Sequence, residues 1–193
     1  KQRWLNKLYQ VVLTQIYGPP SSSFVPGHNL GHHKATQSPR DAMRTTKARF
    51  RWNLLNLIFF ILQVTPAVVK GDSAFTAHMR KTHPRWFRQL ATELTVLIGI
   101  SAALLYLDWQ RALLYWFFPH VYAQWGITTM NLLQHDGCDP DSEYNHSRNF
   151  VNPLLNWFVF NNGFHSIHHR IPGLHWSLTP AAHAEQIAPH IHP

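Results

Sequence analysis

Only one cysteine, Cys138, occurs in the 193 residues. A disulfide framework and a thiolate zinc site are therefore excluded, since both need several thiols, and Cys138 is expected to be a free thiol that says nothing about redox compartment. Acidic residues are also scarce, with 9 Asp and Glu against 17 Lys and Arg. The resulting formal charge of +8 contains no long single-sign run. Such a balance suits nucleic acid or a membrane surface. No nucleic-acid-binding motif accompanies it, so no nucleic-acid partner is expected. Internal repeats are absent too, and the length suits one domain over residues 1–193.

Histidine is what the chain has in excess, with 15 residues. The segment His165-Ser166-Ile167-His168-His169 forms an H-x-x-H-H cluster, and His28-Asn29-Leu30-Gly31-His32-His33 forms a second one far upstream. On a helix, His165, His168 and His169 share one face within a turn, as do His28 and His32. Asn131 and His135 are likewise four apart. Imidazole binds iron, copper, zinc and nickel, and so many nitrogens without cysteine exceed the needs of one four-coordinate zinc, so a two-metal site fits the count better. A lone histidine is as ordinary on a surface as in a metal site. Close repeats beside apolar helices have no evident packing use.

Residues 4–17 read as an amphipathic or membrane-associated helix, ended by Gly18-Pro19-Pro20. Residues 53–69 are largely apolar, interrupted by Asn56, Gln63 and Pro66. Residues 91–107 and 111–133, separated by Asp108-Trp109-Gln110-Arg111, read as a helical hairpin with arms near bilayer length. Tyr106, Trp109, Tyr115, Trp116, Tyr122 and Trp125 are aromatics of the interfacial kind. Basic residues gather at Lys34, Arg40, Arg44, Lys47, Arg49 and Arg51, and again at Lys70, Arg80, Lys81, Arg85 and Arg88, as cytoplasmic membrane flanks do. If every ligand lies on one side, the hairpin must cross and return. Segment 53–69, flanked by basic residues on both sides, is then expected to lie at the interface. The expected fold is all-α: a transmembrane hairpin, interfacial helices and a cytoplasmic histidine-rich metal-binding cap.

Asp136, Asp139, Asp141 and Glu143 are candidates to orient ligating imidazoles. Arg148 and Arg170 are candidates to meet an acidic donor protein or a lipid headgroup. His183, His190 and His192 in the tail read as surface residues. His78 and His83 have ligand-pair spacing but lie in a basic stretch, which argues against them.

His28-x-x-x-His32-His33 followed by Lys34-Ala35-Thr36-Gln37, Asn131-x-x-x-His135, and Asn162-Gly163-Phe164-His165-x-x-His168-His169-x-x-Pro172 resemble the histidine boxes of membrane fatty acid desaturases and related hydroxylases. The likeness runs through most of the chain, and the last box is its most specific part. The family's first box belongs just upstream of Trp4, so the resemblance implies a preceding segment that supplies further ligands. It also implies that His28, His32, His33, His135, His165, His168 and His169 ligate two irons, with Asn131 reaching one directly or through water. Further implications are dioxygen as co-substrate, a lipid or fatty acyl substrate, and an electron donor such as ferredoxin, rubredoxin or cytochrome b5. The implied location is integral to a bacterial inner membrane or the endoplasmic reticulum, with the metal site on the cytoplasmic side.

The second box carries three residues before its doublet rather than the two usual in desaturases. This resembles alkane and other hydroxylases as much as desaturases and leaves the reaction open. Desaturation is the first expectation, and a di-iron hydroxylase or ketolase of alkanes, lipids or carotenoids the alternative. A non-catalytic metal-binding membrane protein and a pH-responsive histidine surface are the rivals from other classes.

Overall fold

A computed structural model describes residues 2–47, 50 and 54–191. Arg49, Arg51 and His192, named above for their charge or place in the tail, lie outside the described residues. Among the described residues the fold is helical throughout. The α-helices are α1 (Arg3–Tyr17), α2 (His33–Ala35), α3 (Leu54–Thr82), α4 (Pro84–Ala112), α5 (Phe118–His135), α6 (Pro153–Phe158), α7 (His165–Arg170) and α8 (Thr179–Gln186).

The expected hairpin is present. Asp108 leaves helical geometry, with φ −161° and ψ 92°, and its Oδ1 accepts a hydrogen bond from the Arg111 backbone N–H at 3.0 Å. Asp108 thereby acts as an N-cap that starts a new helical course. Trp116 Nε1 donates to Ser101 Oγ at 2.8 Å. In an unbroken helix those residues would stand about 22 Å apart, so the chain reverses and α4 and α5 run antiparallel. A five-residue π-helical stretch, Leu113–Phe117, leads into α5. From Pro84 to the kink is about 36 Å of helix, enough to cross a hydrocarbon core of about 30 Å. Ile98, Leu107, Leu114, Phe118 and Val121 are exposed around the hairpin, as are Tyr106 and Tyr115. An apolar surface of that extent suits lipid rather than water.

Segment 53–69 is longer than the sequence suggested. Helix α3 continues through Gly71 and Asp72 to Thr82, with Pro66 inside it, and carries Lys70, Arg80 and Lys81 as part of the same rod. Both Leu54–Thr82 and Pro84–His135 are long and apolar enough to cross a membrane. The contacts of α3 place it across the base of the hairpin. The Leu57 carbonyl accepts from Trp125 Nε1 and Thr129 Oγ1, and Phe60 and Val64 pack on Leu132. Fifteen residues later, Phe75 meets Trp86 with ring centroids 5.3 Å apart. The Ser101–Trp116 pairing sets Trp86 opposite the turn that holds Leu132. Over this interval α3 advances about 22 Å along its own axis while its partners stay at one level.

Helix α1 packs on α4 and α5 and ends as expected at Gly18, whose φ of +102° favours glycine and where an added Cβ would come within 3.0 Å of the His120 side chain. Its exit loop is fastened by Glu93. Fully buried in α4, this carboxylate accepts from the Ser22 N–H at 2.9 Å, the Ser22 hydroxyl at 2.7 Å and Gln89 Nε2 at 2.9 Å. The first histidine segment follows directly from this anchor.

Candidate metal centre

Four short segments bring the histidines together at the base of the hairpin. His28 and His32 belong to a π-helical stretch, Val25–His32, which passes into α2 at His33. His135 ends α5, and His165, His168 and His169 lie on α7. Helix α7 has only six residues and is held from outside. Asn149 Oδ1 accepts the Ser166 N–H, Asn149 Nδ2 donates to the Ser166 hydroxyl, and that hydroxyl pairs with Ser147. The glycine preceding it, Gly163, threads between Phe150 and Asn156. Its N–H donates to Asn156 Oδ1 and its carbonyl accepts from the Phe150 N–H.

All seven histidines named from the sequence converge, in two sets. His32, His135, His165 and His169 have ligand nitrogens within 4.8 Å of one another, and so do His28, His33 and His168. In the first set, His135 Nε2 lies 3.2 Å from His32 Nε2 and 2.9 Å from His165 Nε2, and His169 Nε2 is 3.1 Å from His165 Nε2. In the second, His33 Nε2 is 3.1 Å from both His28 and His168, which are 3.3 Å from each other. One ring proton cannot satisfy three converging nitrogens. A metal can: bonds of about 2.1 Å set neighbouring nitrogens about 3.0 Å apart in octahedral geometry and about 3.4 Å apart in tetrahedral geometry. The donor set thus fits two metal ions of nitrogen preference.

The histidines share these sets in a way that α-helical spacing did not indicate. His28 was expected to share a face with His32, but its partner is His33. In the π-helix the His33 N–H bonds back to the His28 carbonyl, so residues five apart align and His32 turns toward the other set. In α7, an ordinary α-helix, His165 aligns with His169 four residues on, and His168 turns away. Each adjacent pair, His32-His33 and His168-His169, is therefore divided between the sets, because neighbouring helical residues point about 100° apart.

Burial and mutual proximity favour the neutral, ligating form of His28, His33, His165, His168 and His169. His28 is pushed down to about 3, first by burial and then by His33, His32 and His168, and His33 down to about 4, first by burial and then by His168. Burial likewise lowers His165, His168 and His169.

One outer partner escaped the sequence. His32 Nδ1 donates to Asp41 Oδ2 at 2.8 Å in a fully buried pair. Asp41 also accepts the Gln37 and Met43 N–H groups. Burial pushes its carboxyl up, but the hydrogen bonds from His32 and from those two N–H groups outweigh it, holding Asp41 below the usual carboxylate range. His135 Nδ1 donates to the His146 carbonyl at 3.0 Å. The acidic loop after α5 does not take this part. Asp139 and Asp141 are exposed, and Glu143 pairs with Arg170. Arg148 caps the end of α5 through the Leu133 and Gln134 carbonyls instead of standing free for a partner. Asn131, one turn before His135, donates through Nδ2 to the Met43 carbonyl at 2.8 Å. His78 and His83 are exposed at the far end of α3. His183, expected at the surface, is buried with its ring 5.0 Å from Phe164, whereas His190 is exposed and stacks on Tyr144. Cys138 is a free, half-buried thiol.

Two outcomes follow from these contacts. Asp41→Asn is expected to weaken metal binding about 10- to 100-fold while leaving helix content unchanged, as measured by metal titration and circular dichroism. Metal-stripped protein is expected to lose stability as pH falls below 6.5, the unfolded-state value. Above it, folded and unfolded chains both hold His28 neutral. Between 6.5 and about 3 only the unfolded chain takes up the proton, at a cost of about 1.4 kcal/mol per pH unit, and below that range the loss levels off. Half-buried His33 adds a smaller, solvent-screened share. Urea melts at successive pH values check the slope.

No curated protein among those compared matches the chain. The sequence model of the fatty acid desaturase family matches residues 1–193. With that match spanning the whole chain and its histidine segments gathered at one centre on a helical scaffold, the protein belongs to the fatty acid desaturase family.

Proposed function

We propose that this chain is an oxygen-dependent di-iron membrane oxidoreductase, most simply a lipid desaturase. The observation that carries the reading is the pair of adjacent nitrogen sets, four and three imidazoles, at the base of an apolar hairpin. His32, His135, His165 and His169 would hold one iron and His28, His33 and His168 the other. Asn131, its amide nitrogen committed to Met43, would act through water. When bound, such a pair would supply, with dioxygen, two electrons from an outside donor and two protons from solvent, the oxidant that removes hydrogen from an unactivated C–H bond. A second removal leaves a double bond and two waters; transfer of one oxygen leaves an alcohol and one water.

The chain's own residues prepare the site for this. Asp41 and the His146 carbonyl fix the Nδ1–H of His32 and His135, so that each Nε2 offers its lone pair. Burial of the rings excludes bulk water. An apolar concavity of about 810 Å³ is lined by Trp157, Phe160, Trp176 and Phe164, the residue that precedes His165 in the chain, which supports an apolar substrate. The hairpin spanning the bilayer, α3 lying in the interface and the site facing the cytoplasm complete the arrangement.

Iron analysis of detergent-purified protein, followed by product analysis of host lipids, tests the proposal. Two irons per chain with new double bonds support desaturation. Hydroxylated products reassign the reaction within the same centre. Zinc alone without oxygen consumption overturns the oxidoreductase reading.

A further inference from the structure

Helix α1 is turned inside out. It buries Thr14 and exposes Trp4, Leu8, Tyr9, Val12 and Ile16, which fall about one helical turn apart and form a single apolar stripe facing away from the protein. Lipid suits that stripe better than water, as it suits the hairpin on which α1 packs. Between α1 and the start of α4 lies a concavity of about 370 Å³ lined by Lys7, Arg85, Arg88, Gln89 and Thr92. The four α4 residues stand at i, i+3, i+4 and i+7 and so share one face. Gln89 ties the two walls together, its Nε2 donating to the Lys7 carbonyl at 3.1 Å and to Glu93 Oε1 at 2.9 Å. The cations answer no need of the fold. Among the described residues Lys7, Arg85 and Arg88 enter no ion pair, and the nearer carboxylate of α4, Glu93, is buried and committed to Ser22 and Gln89. Arg85 lies in the first turn of α4, which has no acidic residue, although the helix dipole disfavours a cation at that end. The α4 arm is about 36 Å long against a hydrocarbon core of about 30 Å, so its first turns emerge at the level of lipid headgroups.

We propose that this concavity binds the phosphate of an anionic phospholipid headgroup, with Arg85, Arg88 and Lys7 as donors and the acyl chains laid along the apolar stripe of α1. Arginine suits phosphate because its planar guanidinium donates two parallel hydrogen bonds, and lysine adds a point charge. The volume falls within the roughly 300–1,000 Å³ of small-ligand sites. An acidic protein surface would match the charge but leave the stripe in water, so the lipid is the occupant that accounts for both features. The proposal rests on the hairpin's place in a bilayer and not on the di-iron reading, since none of its residues belongs to the two histidine sets.

Dioleoylphosphatidylglycerol is the probe, titrated into the detergent-purified chain beside dioleoylphosphatidylcholine and inorganic phosphate, with bound ligand counted by native mass spectrometry. Wild type is expected to retain phosphatidylglycerol in preference to phosphatidylcholine. Arg88→Gln should weaken that retention about fivefold, and the combined Lys7→Gln, Arg85→Gln and Arg88→Gln variant on the order of a hundredfold, at about one surface cation's worth of attraction each. A second triple variant, Lys70→Gln, Arg80→Gln and Lys81→Gln, removes the same charge from exposed positions of α3 and should change retention less than Arg88→Gln alone does. Equal loss from the two triple variants overturns the proposal, because diffuse charge and not the concavity then attracts the lipid. Wild type without preference for phosphatidylglycerol overturns it too. Inorganic phosphate bound as tightly as the lipid makes the occupant a soluble phosphate compound and overturns the headgroup assignment. Exposed Arg88 tolerates glutamine, so the single variant decides the matter if the triple one fails to fold. Iron counted in the same samples bears on the di-iron reading alone.

Discussion

Replacing His33 with alanine is expected to remove one of two metal ions and abolish turnover while the other ion stays. His33 Nε2 is the nitrogen closest to both remaining members of its set, at 3.1 Å from each. Without it only His28 and His168 face that position. Two imidazoles hold a divalent ion far less tightly than three, and the loss should exceed the roughly 100-fold that removal of an outer partner causes. The other set keeps all four of its histidines. Mirror behaviour is expected of His169→Ala, which leaves three nitrogens there and the His28–His33–His168 set whole. Metal content per chain, read with Mössbauer spectra that separate two iron environments, checks both variants. Simultaneous loss of both ions from either variant would show that the sets are not separable sites, and unchanged content in both would remove these residues from the ligand list.

Among the glycines whose surroundings the structure describes, Gly163→Ala is expected to be the most damaging methyl addition. A Cβ at that position would overlap the Phe150 carbonyl oxygen and sit 2.5 Å from Asn156 Oδ1. Neither can retreat cheaply. Phe150 and Gly163 are joined by a backbone hydrogen bond, and Asn156 is buried, with Oδ1 receiving the Gly163 N–H and Nδ2 donating to the Phe150 carbonyl. The loss should reach or pass the upper end of the roughly 1–3 kcal/mol that overpacking costs. Because Gly163 leads straight into α7, His165, His168 and His169 move with it. A lowered melting temperature together with lost metal is the expected result. Gly173→Ala is the control, since nothing lies within 4 Å of its added methyl. A Gly163→Ala protein as stable and metal-loaded as wild type would contradict the packing described.

Much of this arrangement was legible in the sequence because it is written at short range. Asp108 sits in the one polar interruption between two apolar runs, and the chain reverses there. Six of the seven histidines announce themselves by close repeats, and His135 by Asn131 four residues before it. What escaped depends on long-range placement. Asp41 lies in a loop without periodicity and reaches His32 only because the chain curls back over nine residues. The acidic loop after α5 offered more carboxylates in a more obvious place, yet its Glu143 turns outward to Arg170. Helix α3 outran its apolar stretch because its second half, Lys70 to Thr82, has no proline and tolerates its single Gly71, and Pro66 is accommodated inside it. His183 looked like tail and proved to be core against Phe164, a contact no local pattern encodes.

The π-helical turn at Val25–His32 bears on how histidine boxes are counted. The later box spends two residues before its doublet and winds as an α-helix; the earlier one spends three and winds wider. The additional residue and the wider coil cancel. In both, the leading histidine ends beside the second member of its doublet, as His28 does with His33 and His165 with His169. Spacing here is thus a matter of winding, like gear teeth recut to keep the same mesh. A three-residue interval accordingly carries no weight by itself in choosing between alkene and alcohol as product, and deleting one of Asn29, Leu30 or Gly31 should rewind the turn rather than dismantle the centre.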